Sequence, residues 1–518
     1  MWRDFKKVPI YGRKSSFSED YMRKQLLFCG LCLLIALIFG HLPKSARGEK
    51  VWQKEVIDSS GQILEGMLPG KSVFIKMSQN NIPIISFLSS PNRQLRFRYK
   101  QAGEWKDRET DPSFIQPYDL SVTVDLDENI HLGLIKLDET TSRPKAIYSY
   151  SSGKTWFLED IDQSRGAYEI DMLLDSNGFP KICYISFDDS LPEFGWRTGI
   201  FCRSQNIEGW KGVRVTATNG RVEWLSVGLN SKDFFHILYS HTPYDPTGVS
   251  WYSDLGYEYE TESGWQIGVT IDGGAGNPQH RTLYNKVLID SKGYPHTVYV
   301  RDFGPSGNFS VQLIHKYENA VGWHEEIIDT SAWINNISAA IDSNDNLHIS
   351  YTPWKFSPKG DFVTKVLYGY WNNHTWELSE IDSCIRGGYD PEVSISIDSY
   401  NHPHVAYISP EFEKDQFVYY NFVYATILTE TISIPSTPSG KTSGIIWRSY
   451  KYTTRGSASN LAHSVEYQFD WRGEGSDLSG CGGLQLNRSH GLLPVSMMSG
   501  QEPDAPRILL FCQIGQIP

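Results

Sequence analysis

The feature that most constrains this chain is a short block of residues that returns seven times. Its clearest copies are IDSNDNLHISY at 341–351 and IDSYNHPHVAY at 397–407. One polar residue marks the same position in every copy, at steps of roughly 47 to 60 residues. The seven marks are Ser78, Asp125, Asp175, Asn230, Asp290, Asp342 and Asp398. Such a period is typical of architectures that repeat one small sheet.

Each copy contains the pattern of four short strands. An alternating apolar strand precedes the mark, as at 393–397, and a polar turn and a second strand follow it, as at 404–407. A third strand, as at 366–370, and a fourth, as at 376–382, complete the unit. No helical period lies between them. The pattern therefore predicts an all-β fold, a seven-bladed β-propeller.

A tryptophan that opens the fourth strand counts the blades independently. Six copies have it, at Trp105, Trp156, Trp210, Trp265, Trp323 and Trp376. The copy marked by Asp398 lacks it, whereas Trp52 opens a matching segment ahead of the first copy, with Asp58 at the offset that Asp382 has in its own strand. We therefore expect the first strand of the chain to complete the last blade and close the ring, because closure removes exposed sheet edges.

These phrases resemble the repeats of bacterial exported propellers, in which a phrase like IDSNGNPHISY precedes a tryptophan turn. The resemblance covers about residues 50–430. A more distant similarity to sialidase (BNR) repeats lies in SSGKTW at 151–156, which looks like an Asp-box turn without its aspartate. The resemblance implies the propeller fold. It implies little about activity, because such propellers share no single function.

The amino-terminal segment, residues 1–48, predicts export. Seven basic residues precede an uncharged apolar run at 26–39. The run is short for a membrane span of about 20 residues and fits a signal peptide, with ARG at 46–48 as a cleavage site. The long basic lead favours instead an uncleaved anchor, oriented positive-inside. Both alternatives place the propeller, residues 49–430, outside the cytoplasm.

Composition excludes several classes of function. The formal charge of −12 argues against nucleic acid as a partner, because phosphate binding requires a basic face. Seven cysteines do not form a disulfide framework or a zinc-site spacing, and no cofactor or metal is expected. Cys183 and Cys202 lie on neighbouring strands of one blade and could bridge, but two separate half-buried thiols are the preferred interpretation.

The region after residue 430 changes in composition. Residues 431–475 begin as a linker rich in Ser, Thr, Pro and Gly. Its second part alternates like strands and resembles the opening of a PKD or immunoglobulin-like module, with FDWRGEG at 469–475. A sandwich needs about seven strands, so this module is predicted to be incomplete. Residues 476–518 are predicted to be a poorly ordered tail without further strands.

Histidines and aspartates recur at fixed offsets within the copies. The histidines are His131, His236, His296, His348 and His404. Ring geometry spreads equivalent positions around the axis, so a structural role is preferred, in which each imidazole bonds to a neighbouring turn. The aspartates are expected to accept N–H bonds from the turn that follows them. Calcium binding at 342–346 is an alternative, although no bidentate glutamate follows.

Residues that break the repeat are the candidates for function. Connections from a fourth strand to the next first strand crowd one face around the axis, and they carry aromatic and basic side chains. The candidate ligand-binding residues are Arg165, Tyr168, Arg221, Trp224, His280, Arg281, Tyr284, Trp333, Arg386 and Tyr389, with Tyr118 beside them. The long connection of the fourth blade, 241–260, adds further tyrosines and Trp251. Aromatic faces and guanidinium groups suit sugars.

Two functions follow from this set. The preferred hypothesis is an exported or surface-tethered binding or adhesion propeller for a glycan or protein, with no identifiable catalytic residues. The alternative is a carbohydrate-active enzyme. A sialidase-like hydrolase would use arginines from the set above, although sialidases have six blades. A polysaccharide lyase would use His280, Arg281 and Tyr284, because a base opposite an arginine that neutralises a uronate is what that reaction requires.

Overall fold

The fold is seen in a computed structural model that describes most of the repeat region and two short segments beyond it. The described residues are 51–61, 72–89, 94–111, 113–114, 117–138, 140–161, 166–187, 197–244, 252–273, 280–304, 310–330, 333–356, 362–385, 392–413, 416–427, 469–473 and 508–512. The chain forms two compact units, residues 51–428 and the remainder. Every regular element in the described ranges is a β-strand. The described ranges hold no helix long and apolar enough to span a membrane.

Residues 51–428 form a seven-bladed β-propeller, as predicted. From the axis outward, blade 1 consists of β2 Val73–Met77, β3 Pro83–Ser89, β4 Gln94–Gln101 and β5 Glu104–Arg108. Blade 2 consists of β6 Asp119–Val124, β7 Ile130–Asp138, β8 Arg143–Ser152 and β9 Thr155–Asp160. Blade 3 consists of β10 Ala167–Leu174, β11 Pro180–Phe187, β12 Arg197–Asn206 and the start of β13 Gly209–Leu229. Blade 4 consists of the rest of β13 with β14 Phe235–Pro243, β15 Asp254–Thr261 and β16 Gly264–Asp272. Blade 5 consists of β17 Arg281–Ile289, β18 Pro295–Phe303, β19 Ser310–Asn319 and β20 Gly322–Asp329, and blade 6 of β21 Trp333–Ile341, β22 Leu347–Phe356, β23 Phe362–Trp371 and β24 Trp376–Ile385. Blade 7 consists of β25 Val393–Ile397, β26 Pro403–Glu413, β27 Gln416–Ile427 and β1 Trp52–Gly61. All neighbouring strands within a blade are antiparallel, and the alternation of each strand places one face in the core.

Ring closure occurs as the tryptophan count predicts. Strand β1 pairs with β27, and Trp52 lies opposite Ile427 in the register. Ile57 of β1 is buried in the core between blades 7 and 1, together with Val73 and Phe87. The first strand of the repeat region therefore completes the last blade and covers its outer edge.

Blades 3 and 4 share one long strand. Strand β13 pairs with β12 at the rim of blade 3 and then with β14 next to the axis of blade 4. Gly220 lies where the two pairings meet, with φ of 152°. A Cβ atom there would lie 2.2 Å from the carbonyl oxygen of Thr242, so only glycine allows this approach.

Seven apolar clusters form the core, and each lies between two neighbouring blades. The cluster between blades 1 and 2, for example, joins Phe97 and Leu95 to Leu132. One blade tryptophan packs, half-buried, against each cluster, as Trp156 does here. The repeated tryptophans are therefore structural, as predicted, and the core is a closed series of seven interfaces.

The cysteine prediction is wrong. Cys183 and Cys202 form a disulfide and are not separate thiols. They face each other directly in the register of β11 and β12, which brings their side chains to bonding distance on the buried face. The sequence places both residues on adjacent strands but does not give the register.

The second unit contains one described ribbon, in which β28 Phe469–Gly473 pairs antiparallel with β29 Ile508–Cys512. Strand β29 lies in the region where no further strand is expected, so that part of the prediction is corrected. The predicted signal or anchor at 1–48 and the linker lie outside the described residues.

Candidate functional site

The first strands of the seven blades surround an axial channel. The cavity inside it has a volume of about 340 Å³. Side chains at alternate positions of each first strand face this channel, because a strand repeats every two residues. Five charged side chains line it: Lys76, Glu169, Asp171, Lys286 and Glu392. Burial lowers the pKa of Lys76, and the nearby Asp171 carboxylate opposes that shift.

A belt of hydrogen bonds joins neighbouring first strands around this channel. At five of the seven blades, a hydroxyl or carboxylate four residues before the mark accepts the backbone N–H three residues before the next mark. Ser121 Oγ, for example, accepts from Met172 N at 3.1 Å. The other four bonds are Asp171–Val227, Ser226–Val287, Ser338–Ile395 and Ser394–Ile75. Phe74 and Lys286 occupy the remaining two positions, and neither side chain can accept a hydrogen bond.

The mouth of the channel is irregular on one side of the ring. The first strands of blades 3, 4, 5 and 6 each carry a register shift near their start. The extra residues at these shifts include Tyr168, Trp224, Tyr284 and Asn336. Blades 7, 1 and 2 have no such shift between their first and second strands. A bulge of this kind re-aims a side chain, and bulges are over-represented next to active sites.

Trp224 and Tyr284 form an aromatic pair on adjacent blades. Both residues lie six positions before their marks, and their ring centroids are 4.2 Å apart. Their φ angles are 59° and 51°, a left-handed conformation that is strained for large side chains. Both are half-buried and line the channel cavity. The structure therefore brings two predicted site residues together as one platform at the channel mouth.

The predicted arginines of this face are paired with carboxylates where the structure describes them. Arg221 Nη2 lies 2.7 Å from Glu223 Oε1. Burial raises the pKa of Glu223, and Arg221 opposes that shift. Arg281 forms an ion pair with Asp302, whose side chain is almost completely buried. Arg281 is thus engaged by a buried carboxylate, whereas Arg221 is 63 % exposed and forms a surface ion pair that leaves some of its N–H groups accessible.

His280 is held by a carboxylate as well. Its Nε2 atom lies 3.3 Å from Asp272 Oδ1, and its Nδ1 atom lies 3.3 Å from the Ser253 carbonyl oxygen. The hydrogen bond to Asp272 raises the pKa of His280 despite burial. Asp272 also accepts from Tyr299 at 2.8 Å and from Arg301 at 2.7 Å. Both ring nitrogens of His280 are therefore engaged, one by the Asp272 carboxylate and the other by the Ser253 carbonyl oxygen.

The other predicted site residues separate into three groups. Tyr168 donates to the Val222 carbonyl oxygen and packs against Phe187, so it joins two blades. Trp333 stacks on Trp354 at 5.9 Å and remains 36 % exposed at the same face. Arg165, Arg386 and Tyr389 lie outside the described residues.

The long connection of blade 4 contributes less than predicted. Tyr257 and Tyr259 lie on strand β15 and not in a loop. Their rings stack on each other and on His236 in the blade interior. They are therefore structural, whereas Tyr244 is exposed and Trp251 lies outside the described residues.

The repeated histidines are structural, as predicted. His131, His348 and His404 each contact a tyrosine hydroxyl through Nδ1 and the mark aspartate through Nε2. His236 contacts Tyr257 and Asn230 in the same way. His296 differs, because its Nδ1 lies 3.1 Å from Nε2 of a second histidine, His315, where other blades have tyrosine.

The mark residues hold the turns that follow them, which confirms the second structural prediction. Asp342 Oδ1 accepts the N–H groups of Asn344 and Asn346 at 2.8 and 2.9 Å. Every other mark makes the same pair of bonds, including Ser78 and Asn230.

The residues that sequence reasoning missed are the charged side chains inside the channel. Lys76, Glu169, Asp171, Lys286 and Glu392 lie at alternate positions before their marks. A signal was present, since each of these charges interrupts an otherwise apolar or serine-rich first strand. The predicted site residues were sought in the connections between strands, whereas the channel is lined by the strands themselves.

Comparison with known proteins gives similar solved structures at low identity. A polysaccharide lyase of a new family, PL25 ulvan lyase, bound to -[GlcA(1-4)Rha3S]-, matches with 13 % identity and a TM-score of 0.47, covering 71 % of this chain and 95 % of that one. The polysaccharide lyase Uly1 matches with 9 % identity and a TM-score of 0.46, covering 73 % and 100 %. An α-L-arabinanase from Penicillium chrysogenum matches with 11 % identity and a TM-score of 0.37, covering 61 % and 98 %. At these values the likeness carries no argument about activity. No family model matches the chain, and no curated protein is similar to it.

Proposed function

We propose that this protein is an exported carbohydrate-binding propeller that recognises a glycan at the mouth of its axial channel. The observation that carries the proposal is the Trp224–Tyr284 pair, which bulges on two adjacent blades hold at the channel mouth in a strained backbone conformation. Large side chains at positive φ strain the backbone, and such strain is found mainly at functional sites. Export is part of the proposal and rests on the basic, apolar amino-terminal segment.

The chemistry of the mouth suits a sugar. Aromatic faces stack on the C–H surface of a pyranose ring, and both rings here are partly accessible. Carboxylates and an amide line the same cavity, namely Glu169, Glu392 and Asn336. Glu169 already accepts from Leu225 N and Glu392 from Ser72 Oγ, but the remaining lone pairs of each carboxylate can accept from sugar hydroxyls, and the amide can also donate. A flat apolar surface beside acceptors and donors is the combination that carbohydrate recognition requires.

The described charges favour a neutral glycan over a uronate polymer. Arg281 is bound to the buried Asp302, so a sugar carboxylate would have to compete with that ion pair, whereas the pair of Arg221 with Glu223 lies at the surface. Breaking the Arg281–Asp302 pair would leave the buried Asp302 carboxylate uncompensated, which costs several kcal/mol. A neutral ligand avoids that cost.

The test is glycan binding by the full chain and by a platform variant. The full chain is applied to an array of neutral, amino-sugar and acidic oligosaccharides, and the best ligand is then titrated by calorimetry. Trp224→Ala is expected to weaken binding about tenfold or more through loss of the stacking surface. Tyr118→Ala is the matched control, because Tyr118 is an exposed aromatic (51 %) on the same face but in regular blade 2.

Two outcomes would count against the proposal. An array on which no glycan binds removes the proposed function. Equal losses for Trp224→Ala and Tyr118→Ala would show binding elsewhere on this face. A preference for uronates would leave carbohydrate binding intact but would contradict the argument from paired arginines.

Cleavage of a bound polysaccharide is the second candidate function. Strained residues cluster at active sites, and His280, whose pKa the contact with Asp272 raises, could donate a proton to a leaving oxygen. Incubation of the full chain with neutral and uronate polymers, followed by reducing-end and ultraviolet assays for unsaturated products, tests this. Activity that disappears in His280→Gln but persists in His402→Gln would establish it, because His402 lies at a turn between strands.

A further inference from the structure

One buried position of the repeat is apolar in six of the seven blades and polar in blade 5. It lies five residues before each mark. The six apolar residues are Val73, Leu120, Ile170, Leu225, Ile337 and Val393, all at most 5 % exposed. In blade 5 the same position is Asn285, which is 2 % exposed. The repeat therefore supplies an internal standard, and Asn285 departs from it directly beside Tyr284.

Asn285 belongs to a buried polar network between blades 4 and 5. Its Nδ2 atom donates to Ser240 Oγ at 3.2 Å. Ser240 Oγ donates to the Thr282 carbonyl oxygen at 2.6 Å, and Thr282 N donates to Ser253 Oγ at 2.8 Å. All four residues are buried. The network thus ties the start of β17 to β14 and to the residue preceding β15 in the neighbouring blade.

This network has an energetic disadvantage for the fold. Asn285 Oδ1 is buried and has no hydrogen-bond partner among the described residues. An unsatisfied buried acceptor costs about 1–3 kcal/mol relative to a satisfied one. An apolar residue of similar volume, as in the other six blades, would avoid this cost. The fold by itself therefore gives no reason for asparagine at this position.

The reason lies in what Asn285 adjoins. Tyr284 and Asn285 together lie opposite Tyr299 at the register shift of β17. Tyr284 has φ of 51° and contacts Trp224 across the blade interface. We infer that Asn285 is a positioning residue, whose hydrogen bond to Ser240 fixes the bulge so that the Tyr284 ring stays against Trp224. This inference rests on the proposed function, since the pair it positions is the proposed sugar platform.

Asn285→Leu is the variant that tests it. Leucine has the same number and branching of side-chain heavy atoms as asparagine, is found at the equivalent position of blades 2 and 4, and removes the tether together with the unsatisfied acceptor. We expect an equal or higher melting temperature together with a glycan affinity about tenfold or more lower. A residue with a merely structural role would lower both quantities together. Ile337→Leu, at the same position of blade 6, is the control and should change neither.

The platform itself has a readout that needs no ligand. Closely packed Trp and Tyr rings give a near-ultraviolet circular dichroism signal, and subtracting the spectrum of Trp224→Phe isolates the part due to Trp224. We expect Asn285→Leu to lose this difference signal and Ile337→Leu, at the same position of blade 6, to retain it. If no glycan binds the wild-type chain, the proposed function fails, yet this signal still decides the positioning role. Asn285→Leu with the difference signal intact, or with a lower melting temperature, would overturn the inference.

Discussion

Blades 7, 1 and 2 and blades 3 to 6 are built from the same repeat but differ at the channel mouth. In the first group the innermost strands pair with their neighbours residue for residue. In the second group each innermost strand carries a register shift, and aromatic or amide side chains occupy the extra positions. The turns, the core clusters and the inner belt continue through both groups. The difference shows that the first strands on one side of the ring depart from regular pairing at the channel mouth.

The comparison also separates stability from function. In the regular blades the position five residues before the mark is apolar and packed, whereas blade 5 has the partly unsatisfied Asn285. Strained φ angles occur at Trp224 and Tyr284, on strands and not in turns. Such local conflicts with the repeat are expected at functional sites and not elsewhere. The irregular side is therefore where binding should be sought.

The largest effect is expected from disrupting the ring closure between blades 7 and 1, which belong to the regular group. Ile57→Asp places a charge in the core between blades 7 and 1, where Ile57 is 4 % exposed. Burial of an unpaired charge should lower the free energy of unfolding by about 4 kcal/mol or more, or prevent folding. Thermal unfolding followed by circular dichroism measures this.

The control for closure is the neighbouring residue of the same strand. Val56 is 55 % exposed, and Val56→Asp should change stability by no more than about 0.5 kcal/mol. Equal stabilities of the two variants would mean that strand β1 does not pack against blade 1 in solution.

A smaller effect, and one that depends on pH, is expected from the histidine of blade 4. Burial lowers the pKa of His236 to about 4, and its neighbour is Asn230, where the other blades with a repeated histidine have a mark carboxylate. As pH falls below about 6.5, His236 binds a proton in the unfolded chain, whereas in the folded protein it stays neutral until the pH approaches about 4. The stability it contributes is therefore complete above pH 6.5 and is lost between about pH 6.5 and 4.

Asn230→Asp should reduce this acid sensitivity, because a carboxylate would stabilise protonated His236. We expect a gain of about 1 kcal/mol at pH 5 relative to the wild type and little change at pH 8. The converse variant in a regular blade, Asp398→Asn, should increase acid sensitivity, since Asp398 opposes the burial-induced fall in the pKa of His404. Urea unfolding at several pH values checks both. Identical pH profiles for all three proteins would contradict the assignment.

The smallest effect is expected in the inner belt, which both groups share. Ser394→Ala removes the bond to Ile75 N at 3.2 Å, and Ser226→Ala removes the bond to Val287 N at 3.1 Å. Each should cost about 1 kcal/mol, because one buried N–H loses its acceptor. Similar losses at the two positions would show that the irregular blades are as firmly joined as the regular ones. A loss of stability seen for Ser394→Ala but not for Ser226→Ala would show that the belt is weaker among the irregular blades 3 to 6.

The number of blades, their strand order and the closing strand could all be read from the sequence. The reason is that period-two alternation, polar turns and the tryptophan offsets are local signals, and each is repeated often enough to cancel single errors. The roles of the repeated histidines and mark residues followed for the same reason, since seven copies cannot share one ion. Trp224 and Tyr284 were also found, because both break the repeat.

What only the tertiary structure decided were relations across strands and blades. Sequence spacing put Cys183 and Cys202 on adjacent strands, but their disulfide depends on a register that spacing does not contain. The pairing of Arg281 with Asp302 depends in the same way on the register of β17 and β18, whereas the contacts of His280 with Asp272 and of Trp224 with Tyr284 depend on which blades become neighbours. A repeated sequence specifies each blade through short-range patterns. The channel and its mouth arise only when seven blades pack together, because no single copy contains the other side of the contact.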